Sequence, residues 1–319
     1  MPPPEIITED ARFVFRMADP LSEATKIHAF RREAFGRDFE MDHFQWFNLK
    51  YPYSHNRVYV AEEKSTGRIA SAICMLPFRY RIGREARHIS VATGGATHPN
   101  FRGLGLFTKI SSMLVEQEGR FKIECGIGFP NPEALPLHIK AGWEVPLELT
   151  FLEKREFRQA DGACEPIERF DERYDGLYEE STEHFDFVNL KDHRVLNWRY
   201  KERPDVDYQC FKIGRPNLEG FIVLKRFQDK EIRKVHIVDF LAANEKAAVA
   251  LIRVAESFSK GSDLLNLWMP PTSPYAEIFF RREFVPSDER SPMILKCRGT
   301  AALPRIASPW VVLGDNDVY

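Results

Sequence analysis

The sequence predicts a mixed α/β fold (α+β mixed sheet): a central mixed, mostly antiparallel sheet flanked by helices, present in two related domains. Strand and helix patterns alternate along the first half of the chain, and part of that order recurs in the second half. The chain has 319 residues, of which 44% are hydrophobic. At roughly 150 residues per domain, this is enough for two buried cores.

The first half predicts a helix, a meander of strands, a helix, a strand and a helix. The strands are expected at residues 13–17, 57–61, 69–78, 88–97 and 123–129, where apolar residues run between turn residues. One helix is expected to open at Asp19-Pro20, a second to carry its apolar face from Leu106 to Leu114, and a third to end at Gly142. This order is typical of one α/β unit.

The second half repeats marks of the first, which predicts a duplicated domain. Trp46 and Pro52 are matched by Trp198 and Pro204 at an offset of 152, and Pro130 and Val145 by Pro270 and Val285 at an offset of 140. We therefore expect domains at residues 1–155 and 156–300 and a separate tail at 301–319. The polar stretch 158–165 would join the domains.

Composition narrows the function classes. The 45 basic and 47 acidic residues give a net charge of −2, which favours neither nucleic acid nor an anionic membrane as partner. The longest nearly apolar run, residues 69–78, is about half of a membrane span, and the N-terminus does not resemble a signal peptide. The five cysteines are far apart, so no disulfide framework and no metal site are expected. We expect a soluble cytoplasmic protein, with monomer and homodimer both open.

Residues 93–108 carry the clearest chemical signal. A strand runs through Pro99 into a glycine turn, which leads directly into an amphipathic helix. Gly103 and Gly105 allow the backbone to approach a ligand closely. The helix start presents unpaired N–H groups and a positive dipole end, and Arg102 adds a forked cation. This combination predicts a phosphate or pyrophosphate site.

Two other phosphate-binding loops do not match this segment. A P-loop needs Gly-Lys-Ser/Thr, whereas Gly105 is followed by Leu106 and Phe107. A dinucleotide-binding fingerprint would have glycine or alanine at the position of Thr108.

Residues 98–106 resemble the acetyl-CoA pyrophosphate loop of the GNAT acetyltransferases, whose pattern is Arg/Gln-x-x-Gly-x-Gly/Ala. Arg102 and Gly105 fit, and Phe107 replaces the final small residue. The segment from Asn131 to Trp143 is similar, without gaps, to the family's Asn-x-x-Ala-x-x-x-Tyr-x-x-x-Gly-Phe. The resemblance covers about residues 10–150, and over 165–297 it is a likeness of fold only, as in tandem GNAT proteins with a degenerate second copy.

The resemblance implies that acetyl-CoA, or another acyl-CoA, binds as co-substrate between two splayed strands. The pantetheine arm would pair with the backbone of Ala96, Thr97 and His98, and one amide would help to polarise the thioester. Gly94 and Gly95 in this strand indicate a bulge or a close approach. The remaining cofactor-binding residues implied are Arg102, Gly103, Leu104, Gly105, Leu106, Phe107, Thr108 and Asn131.

The resemblance also implies catalytic roles for His138 and Asn131. His138 stands where the family often has the Tyr that protonates the departing CoA thiolate, and an imidazole with a pKa near 6.5 could do the same. Asn131 lies seven residues earlier, about two helical turns, and would share a face with His138. Pro136 would disturb a helix that had already begun at Pro132.

The general base stays open. Residues 89–97 include no carboxylate where some relatives have a glutamate, which leaves a water chain, His98 or the terminal carboxylate of Tyr319. Cys125 has no His nearby in sequence and is expected to be a core thiol rather than a nucleophile.

The second copy lacks the glycine turn. Its strand at 235–241 leads through Ala-Ala-Asn-Glu-Lys-Ala into a helix, so no pyrophosphate is expected to bind there. We expect this degenerate domain to wall the acceptor cleft.

Together these features favour an N-acyltransferase that moves an acetyl or short acyl group from acyl-CoA to a primary amine of a small acceptor, with no nucleic acid and no membrane involved. One alternative is a catalytically silent acyl-CoA-binding or regulatory protein, suggested by the missing base and by His138 in place of Tyr. The other is an aminoacyl-tRNA-dependent transferase of similar tandem fold, which the net charge of −2 does not favour.

Overall fold

A computed structural model describes residues 5–36, 38, 40–157, 164–214, 216–299 and 304–316. The chain forms two compact units. Unit 1 consists of Met1–Phe78, Arg87–Pro146 and Met293–Leu303, and unit 2 of Arg79–Ala86, Leu147–Pro292 and Pro304–Tyr319. Residues 158–163 of the predicted joint at 158–165, the start of the tail at 301–303, and Tyr319 lie outside the described residues.

Unit 1 has a mixed sheet with helices against it, which confirms the predicted fold class. Its strands lie in the order β1-β2-β3-β4-β5-β6-β14, with β5 parallel to β6. In chain order the elements are β1 (Ile6–Glu9), β2 (Phe13–Ala18), α1 (Ala24–Phe35), α2 (Met41–Leu49), β3 (Arg57–Glu63), β4 (Ile69–Ile82), β5 (Glu85–Thr97), α3 (Leu106–Glu118), β6 (Cys125–Gly128) and α4 (Leu135–Lys140), followed after unit 2 by the end of β14 (Val285–Cys297).

The helices of unit 1 form where the apolar spacing predicts them, with two differences. Asp19 does not begin α1 but accepts hydrogen bonds from the N–H groups of Leu21 and Ser22, in a turn that precedes the helix. The sequence analysis missed α2, whose aromatic side chains are buried. The predicted apolar face of α3 was correct, since Phe107, Ile110 and Leu114 all belong to the core of unit 1.

Unit 2 has the strand order β7-β13-β12-β11-β10-β8, with β12 parallel to β13 and β9 and β15 paired off this path. Its elements are β7 (Glu144–Lys154), β8 (Glu165–Pro166), α5 (Arg173–Ser181), β9 (Phe187–Asn189), α6 (His193–Tyr200), β10 (Gln209–Ile213), β11 (Gly220–Asp229), β12 (Ile232–Ala242), α7 (Glu245–Phe258), β13 (Leu264–Met269), α8 (Ala276–Arg281) and β15 (Pro309–Trp310).

The last strand of the first half of the sequence, β7, pairs in unit 2, and the last strand of the second half, β14, pairs in unit 1. In unit 2, β13 pairs antiparallel with β7, from Leu265↔Lys154 to Met269↔Thr150. In unit 1, β6 pairs antiparallel with the end of β14, over residues 125–128 and 294–297. The units are therefore not consecutive ranges of sequence.

This exchange brings two cysteines together. Cys125 on β6 and Cys297 on β14 are opposite each other and form a disulfide, although they are 172 residues apart in sequence. The expectation of a core thiol at Cys125, and of no disulfide, was wrong. Cysteine spacing predicts bridges between local loops, whereas this pairing depends on which strand lies beside β6.

The described part of the predicted tail packs into unit 2. Residues 309–310 pair with β9, and the side chain of Trp310 is buried. Asp315 lies 2.9 Å from the ammonium of Lys191 and accepts a hydrogen bond from Asn189. Burial of these paired groups fixes the segment to the unit. Among the helices of the described chain, none is both long and apolar enough to span a membrane.

Candidate functional site

The site predicted from the sequence lies at one edge of β5 in unit 1. Strands β5 and β6 pair from Ser90↔Gly126 to Ala92↔Gly128, where β6 ends. β5 continues for five residues beyond Ala92, to Thr97. On the side of β6, residues 93–97 therefore pair with no described strand, and we call this stretch the open edge of β5.

The two glycines after this point behave as expected. Gly94 has a φ of +57°, in the left-handed region that a β-strand residue with a side chain avoids. At Gly95 an added Cβ would lie 2.8 Å from Cε2 of Phe107. The prediction of an irregular strand with a close approach is confirmed, because α3 packs directly on the backbone here.

The backbone groups of residues 96–98 divide between the two edges of β5. The Oγ of Ser71 on β4 donates to the carbonyl of Ala96, and the N–H of His98 donates to the carbonyl of Ala70. Alternate residues of a strand direct their N–H groups to opposite edges. The amide of His98 is thus used within the sheet, and the amide of Thr97 points to the open edge.

The glycine turn leads directly into the N-terminus of α3. Gly103 and Gly105 have φ values of +81° and +72°, and a Cβ at either position would meet nothing within 4 Å. No side chain in the described chain caps α3, so the N–H groups of its first turn, at Leu106, Phe107 and Thr108, are available.

Two more of the predicted residues flank these amides. Leu104 is 48% exposed at the turn. The guanidinium of Arg102 is exposed and its Nε lies 3.4 Å from the carbonyl of Thr97.

His98 is held in place below the turn. Its Nδ1 accepts a hydrogen bond from the N–H of Asn100, so the ring proton lies on Nε2, 3.1 Å from a carboxylate oxygen of Glu33. Arg68 lies 2.9 Å from the same carboxylate. These contacts orient the imidazole and bind the strand end to α1.

His138 lies in the core of unit 1. Its ring packs edge-on against Phe107 and Trp143, and Nδ1 lies 2.8 Å from the Oγ of Ser111. Burial lowers the pKa of His138 to about 4, so the ring is neutral at pH 7. The proton-donor role stays a prediction, and these contacts favour packing.

Asn131 and His138 do not share a helix face as expected, because α4 begins only at Leu135. Asn131 is exposed and its Oδ1 accepts a hydrogen bond from the N–H of Ala134, 2.8 Å away, which stabilises the turn before the helix. Pro136 stands in the first turn of α4, where its missing N–H costs no hydrogen bond, so the predicted disturbance does not occur.

One buried group at the open edge was missed by the sequence analysis. Thr93 is only 8% exposed, directly after the last residue of β5 that pairs with β6. Its only signal in the sequence was its place before two glycines within a strand. Within the described residues, no three His, Cys, Asp or Glu side chains are grouped so as to hold a metal ion.

The family and fold agree with this geometry. Residues 19–145 match the acetyltransferase (GNAT) domain family. This range contains the open edge of β5, the glycine turn and α4. The predicted resemblance to the GNAT superfamily is thereby confirmed for residues 19–145. No curated protein matches the chain in sequence.

Solved structures show that nearly the whole chain has a GNAT-type fold. A GCN5-related N-acetyltransferase from Anabaena variabilis has a TM-score of 0.70 and 12% identity, over 89% of this chain and 72% of its own. A probable N-acyltransferase from Enterococcus faecalis has a TM-score of 0.70 and 13% identity, over 89% of this chain and 72% of its own. Saccharomyces cerevisiae N-myristoyltransferase with bound myristoyl-CoA has a TM-score of 0.65 and 10% identity, over 91% of this chain and 84% of its own. These structures are consistent with the predicted tandem architecture.

Proposed function

We propose that this protein is an N-acyltransferase that transfers an acetyl or short acyl group from acyl-CoA to a primary amine of a small acceptor. The observation that carries the proposal is the start of α3, where available N–H groups, two left-handed glycines and Arg102 coincide beside the open edge of β5. In this proposal the acyl transfer takes place in unit 1.

The turn suits a pyrophosphate because, among the described residues, no side chain caps the N–H donors at the start of α3. The helix start offers several N–H groups and a positive dipole end, and both favour an anion. The guanidinium of Arg102 adds charge-assisted hydrogen bonds. Space beside Gly103 and Gly105 allows phosphate oxygens to approach the backbone itself.

The open edge of β5 suits the pantetheine arm. Its amide groups would pair with the strand edge at Gly95 and Thr97, much as a missing β-strand would. This would direct the thioester toward Thr93, where β5 and β6 part. An amide N–H at this edge would polarise the thioester carbonyl.

The proposed reaction is a direct transfer. The nitrogen lone pair of a neutral amine attacks the thioester carbon and forms the C–N bond. The C–S bond then breaks, its electron pair leaves on the CoA sulfur, and the proton lost by nitrogen passes to water or to the thiolate. The products are the amide and free CoA, with no acyl-enzyme intermediate.

A silent acyl-CoA-binding protein is the second candidate. It is favoured by the lack of a carboxylate on residues 89–97 and by the buried, neutral His138. Calorimetry with acetyl-CoA, followed by thiol release over a panel of primary amines, separates the two. We expect about one acetyl-CoA per chain and release of thiol. Binding without release from any thioester, acetyl to myristoyl, would contradict the transferase.

A further inference from the structure

Thr93 has a buried hydroxyl that makes no hydrogen bond with any residue the structure describes. The side chain is 8% exposed, and its Oγ1 has no hydrogen-bond partner among the described residues. A buried polar atom without a partner lowers stability, so native proteins rarely keep one unless it serves a purpose. Valine has nearly the same shape and would remove this cost.

Thr93 stands where the open edge begins. Ala92 is the last residue of β5 to pair with β6, and it packs against the core beneath α3. Since side chains alternate along a strand, Thr93 points to the opposite face. A Cβ at Gly94 would lie 3.7 Å from the guanidinium of Arg31 and 3.8 Å from the sulfur of Cys74. The left-handed φ of Gly94 interrupts the alternation at that residue. Cys74 alternates on β4 with Ile73 and Met75, which belong to the core beneath α3, so Cys74 and Arg31 lie on the opposite face, the same face as Thr93.

The corresponding position of unit 2 is apolar. There β12 pairs with β13 up to His236↔Asn266, and the register of β12 against β11 shifts between Ile237 and Asp239. Counting from the last parallel pair, Ile237 corresponds to Thr93, and Val238 to Gly94. Ile237 is buried and needs no polar partner. The fold therefore does not require a hydroxyl here.

We propose that Thr93 is a catalytic residue that contacts the acceptor, with its hydroxyl oxygen accepting a hydrogen bond from the attacking amine. The proposal rests on the proposed function. The bond directs the nitrogen lone pair toward the thioester carbon while the C–N bond forms. Thr93 takes no proton itself, because its hydroxyl is too weak a base; the proton leaves as described above.

Arg31 favours the same arrangement. Its guanidinium is always charged and lies beside Gly94, the next residue after Thr93. A positive charge lowers the pKa of a nearby amine, because it disfavours a second cation. A positive charge at this place would therefore favour the neutral form of an amine held at Thr93, which is the form that can attack. This predicts a preference for small acceptors with one uncharged amine at the reacting end.

The test compares Thr93→Val and Thr93→Ser with the full-length wild type. Hydroxylamine serves as the amine probe, with acetyl-CoA as donor and thiol release measured above the uncatalysed rate. We expect Thr93→Val to lower turnover about 10–100-fold, the effect of one hydrogen bond made in the transition state. Thr93→Ser keeps the hydroxyl and should stay within about threefold. Affinity for acetyl-CoA should change less than about twofold in both.

Thermal unfolding gives a readout that does not depend on the acceptor. Thr93→Val should raise Tm by about 1–4 °C, because a buried polar atom without a partner is replaced by a methyl group. Thr182→Val is the matched control in unit 2, since that buried hydroxyl donates to the carbonyl of Tyr178. It should lower Tm by a similar amount.

The outcomes separate the two proposals. If the wild type releases thiol and Thr93→Val does so at the same rate, or if Thr93→Val lowers Tm, the hydroxyl is structural and this inference is overturned while the proposed function stands. If the wild type binds acetyl-CoA but releases no thiol with any amine, the proposed function fails and the role of Thr93 fails with it.

Discussion

The two units make the same connection, from a long strand to a helix, in different ways. In unit 1, eight residues lie between β5 and α3, and the helix begins at Leu106, directly after Gly105, without a side-chain cap. In unit 2, two residues lie between β12 and α7, and the Oδ1 of Asn244 accepts a hydrogen bond from the N–H of Ala247, 2.9 Å away. Glu245 adds a carboxylate in the first turn.

The difference in capping favours different roles for the two helix starts. Asn244 and Glu245 supply the acceptor and the negative charge that a helix N-terminus favours, so α7 is satisfied by its own chain. The start of α3 has neither an acceptor nor a negative charge, and it follows Arg102. The positive charge of Arg102 is unfavourable beside the positive end of the helix dipole unless an anion lies between them. We infer that unit 1 reserves its helix start for a ligand.

The short helices α4 and α8 show the opposite case, a feature common to both units. The N–H of Trp143 donates to the carbonyl of His138, and the N–H of Phe284 donates to the carbonyl of Phe279. His138 and Phe279 thus correspond at an offset of 141. The ring of Phe279 packs against Phe284 as that of His138 packs against Trp143. An aromatic ring fills the core here in both units.

The largest effect should come from Gly105→Val. A β-branched residue is strained at a φ of +72°, and its side chain would fill the space beside the helix start. Losing two or more charge-assisted hydrogen bonds to the pyrophosphate should weaken acetyl-CoA binding about 10²–10⁴-fold, measured by calorimetry.

Gly261→Val is the matched control for this variant. Gly261 in unit 2 also has a left-handed φ, +78°, with nothing within 4 Å of an added Cβ. Both variants should lose similar stability, and only Gly105→Val should lose acetyl-CoA affinity. A folded Gly105→Val protein with wild-type affinity for acetyl-CoA would contradict the assignment of the loop as the pyrophosphate site.

The next effect concerns His138 and pH. Its pKa in the folded protein, about 4, is below the unfolded value of 6.5, so the unfolded chain binds the proton more readily. The contribution of neutral His138 to stability is complete above about pH 6.5 and is lost as pH falls from 6.5 to 4. The loss is on the order of 3 kcal/mol.

His138→Phe, which copies Phe279 of unit 2, removes the titrating group. As pH falls from 6.5 to 4, the urea midpoint of the wild type should fall relative to that of the variant. The titration of the other groups affects both proteins equally and cancels in this comparison. Turnover per folded molecule should stay within about threefold. A fall of 10²–10⁴-fold would instead establish the proton-donor role.

Arg102→Ala should have a smaller effect on the same site. Arg102 is exposed and its one described contact is long, so its removal should cost little stability. We expect acetyl-CoA affinity to fall about 10–100-fold, with a weaker dependence on salt, because a charged hydrogen-bond donor to phosphate is lost. Arg169→Ala in unit 2, which removes an exposed arginine 4.0 Å from Glu202, serves as the control for total charge. Equal effects of the two variants would contradict a direct role for Arg102.

The sequence predicts features that depend on neighbours along the chain and misses those that depend on neighbours in space. The conformations of Gly103 and Gly105 are local requirements of the turn, and their prediction was confirmed. The disulfide of Cys125 depends on β14 lying beside β6, and no local pattern records that exchange. The hydroxyl of Thr93 can be identified only from the folded structure, in which it is buried and has no hydrogen-bond partner among the described residues.

The smallest effect tests the cap that unit 1 lacks. Asn244→Ala removes the side-chain acceptor at the start of α7 and should lower the free energy of unfolding by about 1 kcal/mol, measured by urea denaturation. Asn244→Gly should cost only a few tenths, because glycine is itself tolerated at this position. Neither change supplies a cation or the longer glycine turn of unit 1, so calorimetry should still find about one acetyl-CoA per chain. A second bound acetyl-CoA in Asn244→Gly would show that the cap alone separates the two helix starts, and that Arg102 and the turn add nothing to the distinction.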